Sequence, residues 1–192
     1  MPIPKLFTLV LFFMVAKFVG AVPVQLPPVA LIEGADGRPK VTREETFSSW
    51  GLSCAVAQDE RGSPLERCMI SQLVAVDPKG EKVVLGLTVD YADSPTVPTI
   101  RIRFSPAANA QAGIGIKIDD GPEMRLAISN CNAQRCESVG RLSPQVLKLW
   151  RSGKQAQLAF IDQGGKQMLF PVSLSGFDSA LSALGRYRKG KK

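Results

Sequence analysis

The four cysteines are the residues whose type and spacing most clearly suggest chemistry. Thirteen residues separate Cys54 from Cys68, and four separate Cys131 from Cys136. Four cysteines allow three disulfide pairings. We favour the sequential pairing, Cys54–Cys68 and Cys131–Cys136, because each pair flanks a turn-like stretch, DERGSP in the first case and NAQR in the second. Loop-closure entropy assigns about 3 kcal/mol to the first disulfide and about 2 kcal/mol to the second.

A zinc site is the rival interpretation of the cysteines. Zinc ligands that are close in sequence are typically separated by about two to four residues, a spacing that only Cys131 and Cys136 meet. Cys54 and Cys68 supply no matching second half, and the chain has no histidine. A Cys-x-x-Cys redox motif is also absent. We therefore expect two structural disulfides, no metal and no cofactor.

Acid–base catalysis would have to use carboxylates, because a chain without histidine has no Ser-His-Asp or Cys-His constellation. The candidates are Asp90 and Asp93 near a predicted strand end, and Asp119 and Asp120 in the sequence DDGP. Paired carboxylates can hydrolyse glycosides or bind calcium. DDGP is a typical turn sequence, however, and neither pair has the spacing of a calcium loop. We expect these residues to form turns, and we expect no catalytic residue.

Three further features have a structural and a functional interpretation. The sequence Gly113–Gly115 (Gly-Ile-Gly) lies in a predicted strand with no helix after it, which favours a close backbone approach over a nucleotide site. Trp50 and Trp150 could stack on a sugar or a peptide, but both lie in apolar stripes, which favours core packing. Arg101 and Arg103 could form a small cationic strip or be ordinary solvated residues of a strand.

Basic residues are concentrated at the C-terminus. The last seven residues contain five of the 24 Lys and Arg and no acid; the basic residues are Arg186, Arg188, Lys189, Lys191 and Lys192. Two more lie in the N-terminal leader, so the body between them has as many basic residues as the chain has acids, 17. A body without net charge does not fit a nucleic-acid-binding fold. The tail could contact acidic lipid, polysaccharide or protein, or it could be a solvated, disordered end.

The N-terminus has the layout of a secretory signal peptide. Lys5 supplies the positive charge, Leu6–Ala16 is an unbroken apolar run, and Val19–Ala21 offers small residues for cleavage. We expect residues 1–21 to be removed and the mature chain to begin at Val22 in the periplasm or outside the cell. In that oxidising compartment the cysteines can pair.

An uncleaved membrane anchor is the alternative for this leader. The apolar run has 11 residues, whereas a helix that spans a bilayer needs about 20. Lys17 ends the run before it can lengthen, and the mature chain has no segment of transmembrane length.

Period-two alternation of apolar residues dominates the rest of the chain and predicts a mainly β protein. Strands are predicted at Ser48–Val56, Met69–Val76, Val83–Tyr91, Thr99–Phe104, Gly113–Asp119, Met124–Ser129, Gln155–Ile161 and Lys166–Val172. Turn sequences at 119–122 and 164–165 predict hairpins. Since each strand has one apolar face, we expect an antiparallel β-sandwich or a barrel-like domain.

Two short helices interrupt the strands. The first is predicted at Ser143–Ser152, with Ser143 as its N-cap and Gly153 as its end. The second is predicted at Gly176–Leu184 and should end at Gly185. The predicted organisation is a signal peptide (1–21), an extended Pro/Gly-rich arm (22–46), one β-rich domain (47–185) and a basic tail (186–192).

Taken in order, these motifs resemble the invasion-associated locus B family of secreted or periplasmic bacterial proteins. The matching features are Trp50–Cys54 (WGLSC), Cys68, Gly113–Asp119 (GIGIKID), Cys131–Cys136 (CNAQRC), the Leu142–Trp150 helix, Pro171–Phe177 (PVSLSGF), Ala180, Leu181 and Leu184. They cover about 140 residues, from Trp50 to Gly185. The resemblance implies a compact β-rich domain with two local disulfides and, in some members, a link to host-cell entry. It transfers no catalytic residue, because its motif positions are cysteines, turn glycines and core apolar residues.

The predicted function is therefore that of a secreted or periplasmic, non-catalytic envelope or host-interaction protein of this type, which binds a protein or a glycan and contributes to host-cell invasion and virulence. One alternative is a structural envelope protein that the basic tail holds on anionic surface material. A carboxylate-based hydrolase is a further alternative, and it requires two acids that converge in one cleft.

Overall fold

The computed structural model describes residues 40–58, 61–77, 79 and 82–189. The predicted signal peptide and residues 22–39 of the predicted arm lie outside these ranges. The elements of the described part are β1 (Val41–Phe47), β2 (Trp50–Gln58), β3 (Pro64–Ala75), β4 (Val83–Asp90), β5 (Thr99–Phe104), β6 (Ile114–Ile118), β7 (Glu123–Leu126), β8 (Asn130–Cys131), β9 (Cys136–Arg141), α1 (Pro144–Ser152), β10 (Gln155–Ile161), β11 (Gln167–Ser173) and α2 (Phe177–Lys189).

The strands form two antiparallel sheets. The larger has seven strands in the order β1-β2-β3-β4-β5-β9-β8, and the smaller has four in the order β11-β10-β6-β7. The turns at 119–122 and 164–165 join β6 to β7 and β10 to β11 as hairpins. The prediction of a mainly β, antiparallel sandwich with two helices is confirmed.

One apolar core lies between the two sheets. Alternate residues of the strands are buried: Leu85, Leu87 and Val89 of β4, Ile100, Ile102 and Phe104 of β5, Ile114, Ile116 and Ile118 of β6, and Leu158 and Phe160 of β10. Phe104 and Phe160 bring the two sheets into contact, with ring centroids 5.1 Å apart. The period-two pattern thus identifies the inward face of each of these strands.

Helix α2 covers the large sheet at its β1 edge, where it packs against β1, β2 and β3. Its first residue, Phe177, lies edge-on to Trp50, with ring centroids 5.0 Å apart, and Trp150 of α1 is 6.5 Å from Trp50. Trp50 also donates a hydrogen bond from its indole nitrogen to the Ser173 carbonyl, at 3.0 Å. Both tryptophans are therefore core residues, 0% and 1% exposed.

The connection into α2 depends on Gly176. Its φ is +86°, and a Cβ at this position would lie 1.8 Å from the Phe47 carbonyl oxygen at the end of β1. Only glycine combines that backbone conformation with so close an approach.

The capping residues in the sequence predict the ends of α1 correctly but not the C-terminal end of α2. In α1, the Ser143 hydroxyl accepts a hydrogen bond from the Val146 amide at 3.4 Å, and Gly153 is the C-cap, both as predicted. In α2, the helix does not end at Gly185, contrary to the prediction, but continues to Lys189. Glycine inside a helix costs about 1 kcal/mol, and the contacts of Tyr187 with β1, described below, offset that cost.

Three strands were not predicted. β1 includes residues 41–46, which the sequence had placed in the arm, and it pairs with β2 from Val41 to Phe47. Its sequence, VTREETF, lacks apolar alternation because most of this edge strand faces solvent. β9 was missed because a buried Ser138 interrupts the apolar pattern after Cys136, and β8 has only two residues.

Candidate interaction surfaces

The predicted disulfides, Cys54–Cys68 and Cys131–Cys136, are both present. The first joins directly opposed residues of β2 and β3, and the second joins opposed residues of β8 and β9. Each pair has a Cα–Cα distance of 4.0 Å. All four cysteines are thus held in strand pairs, which fixes the register of those strands.

The loop between Cys131 and Cys136 is a tight turn. The Asn132 side chain accepts hydrogen bonds from the amides of Gln134 and Arg135, both at 2.9 Å. The Asn132 amide donates to the Arg135 carbonyl at 2.9 Å. Cys131 itself is exposed while Cys136 is buried, so this loop projects from the sheet on a fixed base.

The outer end of the β3–β4 hairpin carries an exposed apolar patch, which we call the hairpin patch. It consists of Leu73, Val76 and Val83, which are 67%, 62% and 47% exposed. β2 pairs with β3 only as far as Ser71, and β5 pairs with β4 only from Leu85 onward. Beyond those two residues the hairpin has no neighbouring strand among the described residues, so the patch protrudes from the sheet.

Hydrogen bonds hold the end of this hairpin in place. The Asp77 carboxylate accepts from the amides of Lys79 and Lys82, at 3.1 Å and 2.6 Å. The Val76 amide donates to the Lys82 carbonyl at 3.1 Å.

The hairpin patch and the Cys131–Cys136 loop lie at the same end of the large sheet. This follows from one row of cross-strand partners: Val74, Leu85, Phe104 and Cys136.

Asp90 and Asp93 serve local structure at the end of β4. The Asp90 carboxylate accepts from the Ala92 amide at 2.9 Å. Asp93 forms an ion pair with Arg101 at 2.9 Å. Arg103 is paired in the same way with Glu137 at 2.7 Å. Because each arginine has an acidic partner, Arg101 and Arg103 do not form a cationic strip.

Asp119 and Asp120 form the β6–β7 turn, as predicted. Asp119 has a φ of +45°, and its carboxylate accepts from the amides of Lys154 and Gln155, both at 3.0 Å. These hydrogen bonds, above all that from Lys154, lower the pKa of the Asp119 carboxyl below its ordinary value of 3.8. The Asp119 carboxylate thus attaches the start of β10 to the end of β6.

Asp90 is the last residue of β4 and Asp93 follows that strand of the large sheet, whereas Asp119 and Asp120 follow β6 of the small sheet. Two clefts lie on the described surface, and none of these four aspartates lines them. One cleft, of about 450 Å³, lies between α1 and α2, and the other, of about 40 Å³, lies on the small sheet. Each cleft has a single carboxylate, and it is ion-paired: Asp178 with Arg151 at 2.9 Å, and Glu123 with Arg125 at 3.0 Å. This arrangement offers no pair of acids to a glycoside.

Other candidate sites have structural explanations. A Cβ on Gly113, whose φ is +71°, would lie 2.7 Å from the Leu126 carbonyl oxygen, so this glycine permits the close approach of two backbones. No group of three or more Cys, Asp or Glu residues within the described ranges could hold a metal ion. Neither helix of the described chain combines the length and apolarity needed to cross a bilayer.

The basic tail begins on a helix rather than on a free segment. Residues 186–189 are the last turn of α2, and the Arg186 side chain is exposed. The side chains of Arg188 and Lys189, and the whole of Lys191 and Lys192, lie outside the described part of the chain.

Tyr187 attaches this last turn to the edge strand β1. Its hydroxyl donates a hydrogen bond to the Glu45 carboxylate. The Arg43 guanidinium lies 4.5 Å from the centre of the Tyr187 ring, a cation–π contact. The hydrogen bond to Glu45 raises the pKa of the Tyr187 hydroxyl above its ordinary value of 10.0, because the deprotonated form could not donate it.

Sequence reasoning missed the hairpin patch and the Tyr187 contacts. The sequence LVAV at residues 73–76 has apolar residues on both faces of a strand, a signal that could have indicated an exposed apolar face. The Tyr187–Glu45 pair has no local signal, because 142 residues separate its members.

The comparisons with known proteins agree with this geometry. The family model described as Invasion associated locus B (IalB) protein matches residues 50–185. A crystal structure of invasion associated protein B from Bartonella henselae is similar, with a TM-score of 0.65 and 20% sequence identity over 78% of this chain and 99% of that one. At that identity the likeness shows a shared fold. A search of curated proteins found no match.

Proposed function

This chain belongs to the invasion associated locus B family, and from that premise we propose that it is an exported, non-catalytic protein that binds another protein in the bacterial envelope or on a host surface. The similar Bartonella protein is described as invasion associated, and we extend that role to this chain as part of the proposal. Both disulfides support export, because such bonds persist in oxidising compartments.

The hairpin patch is the observation that carries this proposal. Three aliphatic side chains are exposed on a hairpin that extends beyond its neighbouring strands. Burial of exposed apolar surface in an interface is favourable by about 25 cal/mol per Å², so a partner that covers these side chains gains binding free energy. The Cys131–Cys136 loop lies at the same end of the sheet, with β5 and β9 between β4 and β8.

The shape of the hairpin favours a polypeptide partner over a glycan. Residues 72–75 of β3 pair with β4 on one side, and no strand of the described part of the chain pairs with them on the other. An open strand edge can accept an extended segment of another protein, with side chains such as Leu73 providing specificity. The large exposed apolar residues of the described chain are all Val, Leu or Ile, whereas both tryptophans, which could have stacked on a sugar, are buried.

The hydrogen bonds and ion pairs of the acidic residues support a non-catalytic role. Asp90, Asp93 and Asp119 hold loops and turns, and the carboxylates of the two clefts are ion-paired. General acid–base chemistry needs titratable groups that converge on one substrate position.

The test is photo-crosslinking from position 73 in cells that produce the protein, followed by affinity measurement with the captured partner. We expect a discrete crosslinked protein and a loss of affinity of about tenfold for each of Leu73→Ser and Val83→Ser, since about 1.4 kcal/mol corresponds to a factor of ten. Leu169→Ser is the matched control, because Leu169 is 50% exposed on β11 of the other sheet.

Equal losses in Leu73→Ser and Leu169→Ser would refute the hairpin as the contact. Absence of any crosslinked protein from both envelope and host-cell extracts would refute the proposed protein partner. Specific retention of the protein on a glycan array would replace it with the glycan alternative.

A further inference from the structure

We infer that the hairpin patch is self-complementary: two copies of this chain pair edge to edge through residues 73–75 of β3, and this dimer covers the patch until the proposed partner displaces one copy. The inference rests on the proposed function only for that displacement. The dimer itself follows from the direction of the backbone groups of β3, and it is tested without any partner.

The backbone groups that face the open edge of β3 belong to Leu73 and Ala75. In antiparallel strands, directly opposed residues alternate between hydrogen-bonded pairs and closer pairs without hydrogen bonds. The Cα atoms of Cys54 and Cys68 are 4.0 Å apart, which identifies a closer pair. The odd-numbered residues of β3 therefore direct their N–H and C=O groups toward β2, and beyond Ser71, the last residue paired with β2, they direct them to the open edge.

Two hydrogen bonds agree with this direction. The Val56 amide of β2 donates to the Lys40 carbonyl at 3.0 Å, so the even-numbered residues of β2 face β1. The Val76 amide donates to the Lys82 carbonyl at 3.1 Å, so the even-numbered residues at the end of β3 face β4. The register shift at this end skips Val84 of β4 and leaves the alternation of β3 intact. The N–H and C=O groups at positions 73 and 75 thus have no partner within the described ranges.

A twofold axis through position 74 pairs these open groups with one another. Leu73 of each copy then lies opposite Ala75 of the other, in hydrogen-bonded pairs that use every open N–H and C=O group of both edges. Val74 of the two copies meets at the axis in a pair without hydrogen bonds. A second copy therefore presents the donors and acceptors that this edge requires, in the required order.

The same pairing joins the apolar surfaces of the two hairpins. Ile70 is fully buried, so the period of two places Leu73 and Ala75 on the outer face of the sheet. Ala75 pairs with Val83 of β4, which is 47% exposed. Leu73 of one copy therefore lies beside Ala75 of the other and one strand away from Val83. Apolar cross-strand neighbours of this kind stabilise a strand pair.

The hairpin edge lacks the features that oppose pairing at the edge strands β1 and β11. Exposed edges commonly carry charged residues or proline, which block pairing with another chain. β1 has the charged residues 43–45, and β11 has Pro171, whereas residues 73–75 are Leu-Val-Ala. Because the open edge is short, the interface is small, and we expect a weak, reversible dimer.

The dimer and the complex with the proposed partner exclude each other, because both use the edge of residues 73–75. In the exported protein the second copy would keep the apolar side chains of the hairpin covered. A partner strand would compete with that copy for the same backbone groups.

The experiment is sedimentation velocity of the purified, disulfide-bonded protein over a range of concentrations, where we expect a reversible monomer–dimer equilibrium. Ala75→Pro should weaken dimerisation about tenfold or more, because each copy loses an N–H group that faces the open edge. Leu73→Lys should weaken it as well, because lysine on an exposed edge opposes strand pairing. Leu169→Lys is the matched control, since Leu169 is 50% exposed on β11, and it should dimerise like the wild type. Circular dichroism and a thermal melt show whether each variant is folded.

A photo-crosslinker at position 73 of the purified protein locates the contact. We expect crosslinks to residues near position 75 of a second copy, identified by mass spectrometry, and none from position 169. Addition of the captured partner should dissociate the dimer, and a partner that binds the intact dimer would contradict the shared edge.

The failures of this inference and of the proposed function are distinguishable. A monomer at every concentration, or dimerisation unchanged in both Ala75→Pro and Leu73→Lys, would overturn the inference, while crosslinks to another protein in cells would still support the proposed function. Crosslinks in cells to a second copy alone would refute the proposed partner and leave the dimer supported.

Discussion

At the scale of single residues, Asp119 shows how one carboxylate can stabilise a fold without taking part in catalysis. Its side chain accepts two backbone hydrogen bonds, from Lys154, which precedes β10, and from Gln155, the first residue of β10. Charge-assisted hydrogen bonds of this kind favour the ionised carboxyl, which is why its pKa is lowered. The same residue adopts a positive φ, which Asp and Asn tolerate better than most residues.

Asp119→Asn should destabilise the protein at neutral pH, because asparagine keeps the backbone conformation but loses the charge. A depressed pKa in the folded state contributes stability that is present above the unfolded pKa and is lost as the pH falls through the folded pKa. The difference between wild type and variant should therefore shrink as the pH falls below about 4. Denaturant unfolding between pH 7 and pH 3 measures it.

Asp120→Asn is the control for this prediction, since Asp120 is the next residue of the same exposed turn. A pH-independent difference between wild type and Asp119→Asn would contradict the assigned role of the charge. An equal effect of the two substitutions would show that the turn, rather than the hydrogen bonds to Lys154 and Gln155, is responsible.

Replacing Gly176, which precedes α2, and replacing Gly185, which lies inside it, should change the free energy of unfolding in opposite directions. Gly176→Ala should lower the free energy of unfolding by about 3 kcal/mol or more, from backbone strain and overpacking against Phe47. Gly185→Ala should raise it by about 0.5 to 1 kcal/mol, because the position is helical and a Cβ there meets no atom within 4 Å. Urea denaturation of both variants checks the two signs, and a shared sign would contradict this account.

At the scale of elements, the disulfides join strand pairs that differ greatly in extent. Cys54–Cys68 lies within the eight-residue pairing of β2 with β3, whereas Cys131–Cys136 closes a pairing of two residues. The first bond therefore reinforces a pairing that many contacts already hold, and the second fixes a strand that would otherwise have little support.

Replacing each disulfide by a pair of alanines should separate these roles. Cys54→Ala/Cys68→Ala should lower stability by about 3 kcal/mol and Cys131→Ala/Cys136→Ala by about 2 kcal/mol, following the lengths of the closed loops. Equilibrium unfolding gives the order. The second variant should also show faster amide hydrogen exchange confined to the Cys131–Cys136 loop. Protection there equal to that of the wild type would contradict the role given to this bond.

At the scale of the whole molecule, α2 both fills part of the core and connects the C-terminal end of the chain to the edge strand β1. Phe177, Ala180, Leu181 and Leu184 fill the core beside the small sheet, and the last turn reaches β1.

The sequence by itself determined the elements whose signals are local. Alternation in Val83–Tyr91 and Gly113–Asp119 predicted strands and their buried faces, and Ser143 and Gly153 marked the ends of α1. The turn-like stretch between the cysteines of each pair favoured the disulfide pairing that the structure has. These signals are readable because they depend on residues within a few positions of one another. The order of motifs also sufficed to suggest the family.

The tertiary structure alone decided what depends on residues far apart in the chain. β1 is a strand because β2 is its partner, not because VTREETF alternates. α2 passes Gly185, and beyond that glycine Tyr187 contacts Glu45, 142 residues away in the chain. The hairpin patch is exposed because its neighbouring strands stop short, a fact of register and not of composition. A local pattern records which face of an element is apolar, but only packing decides what, if anything, covers it.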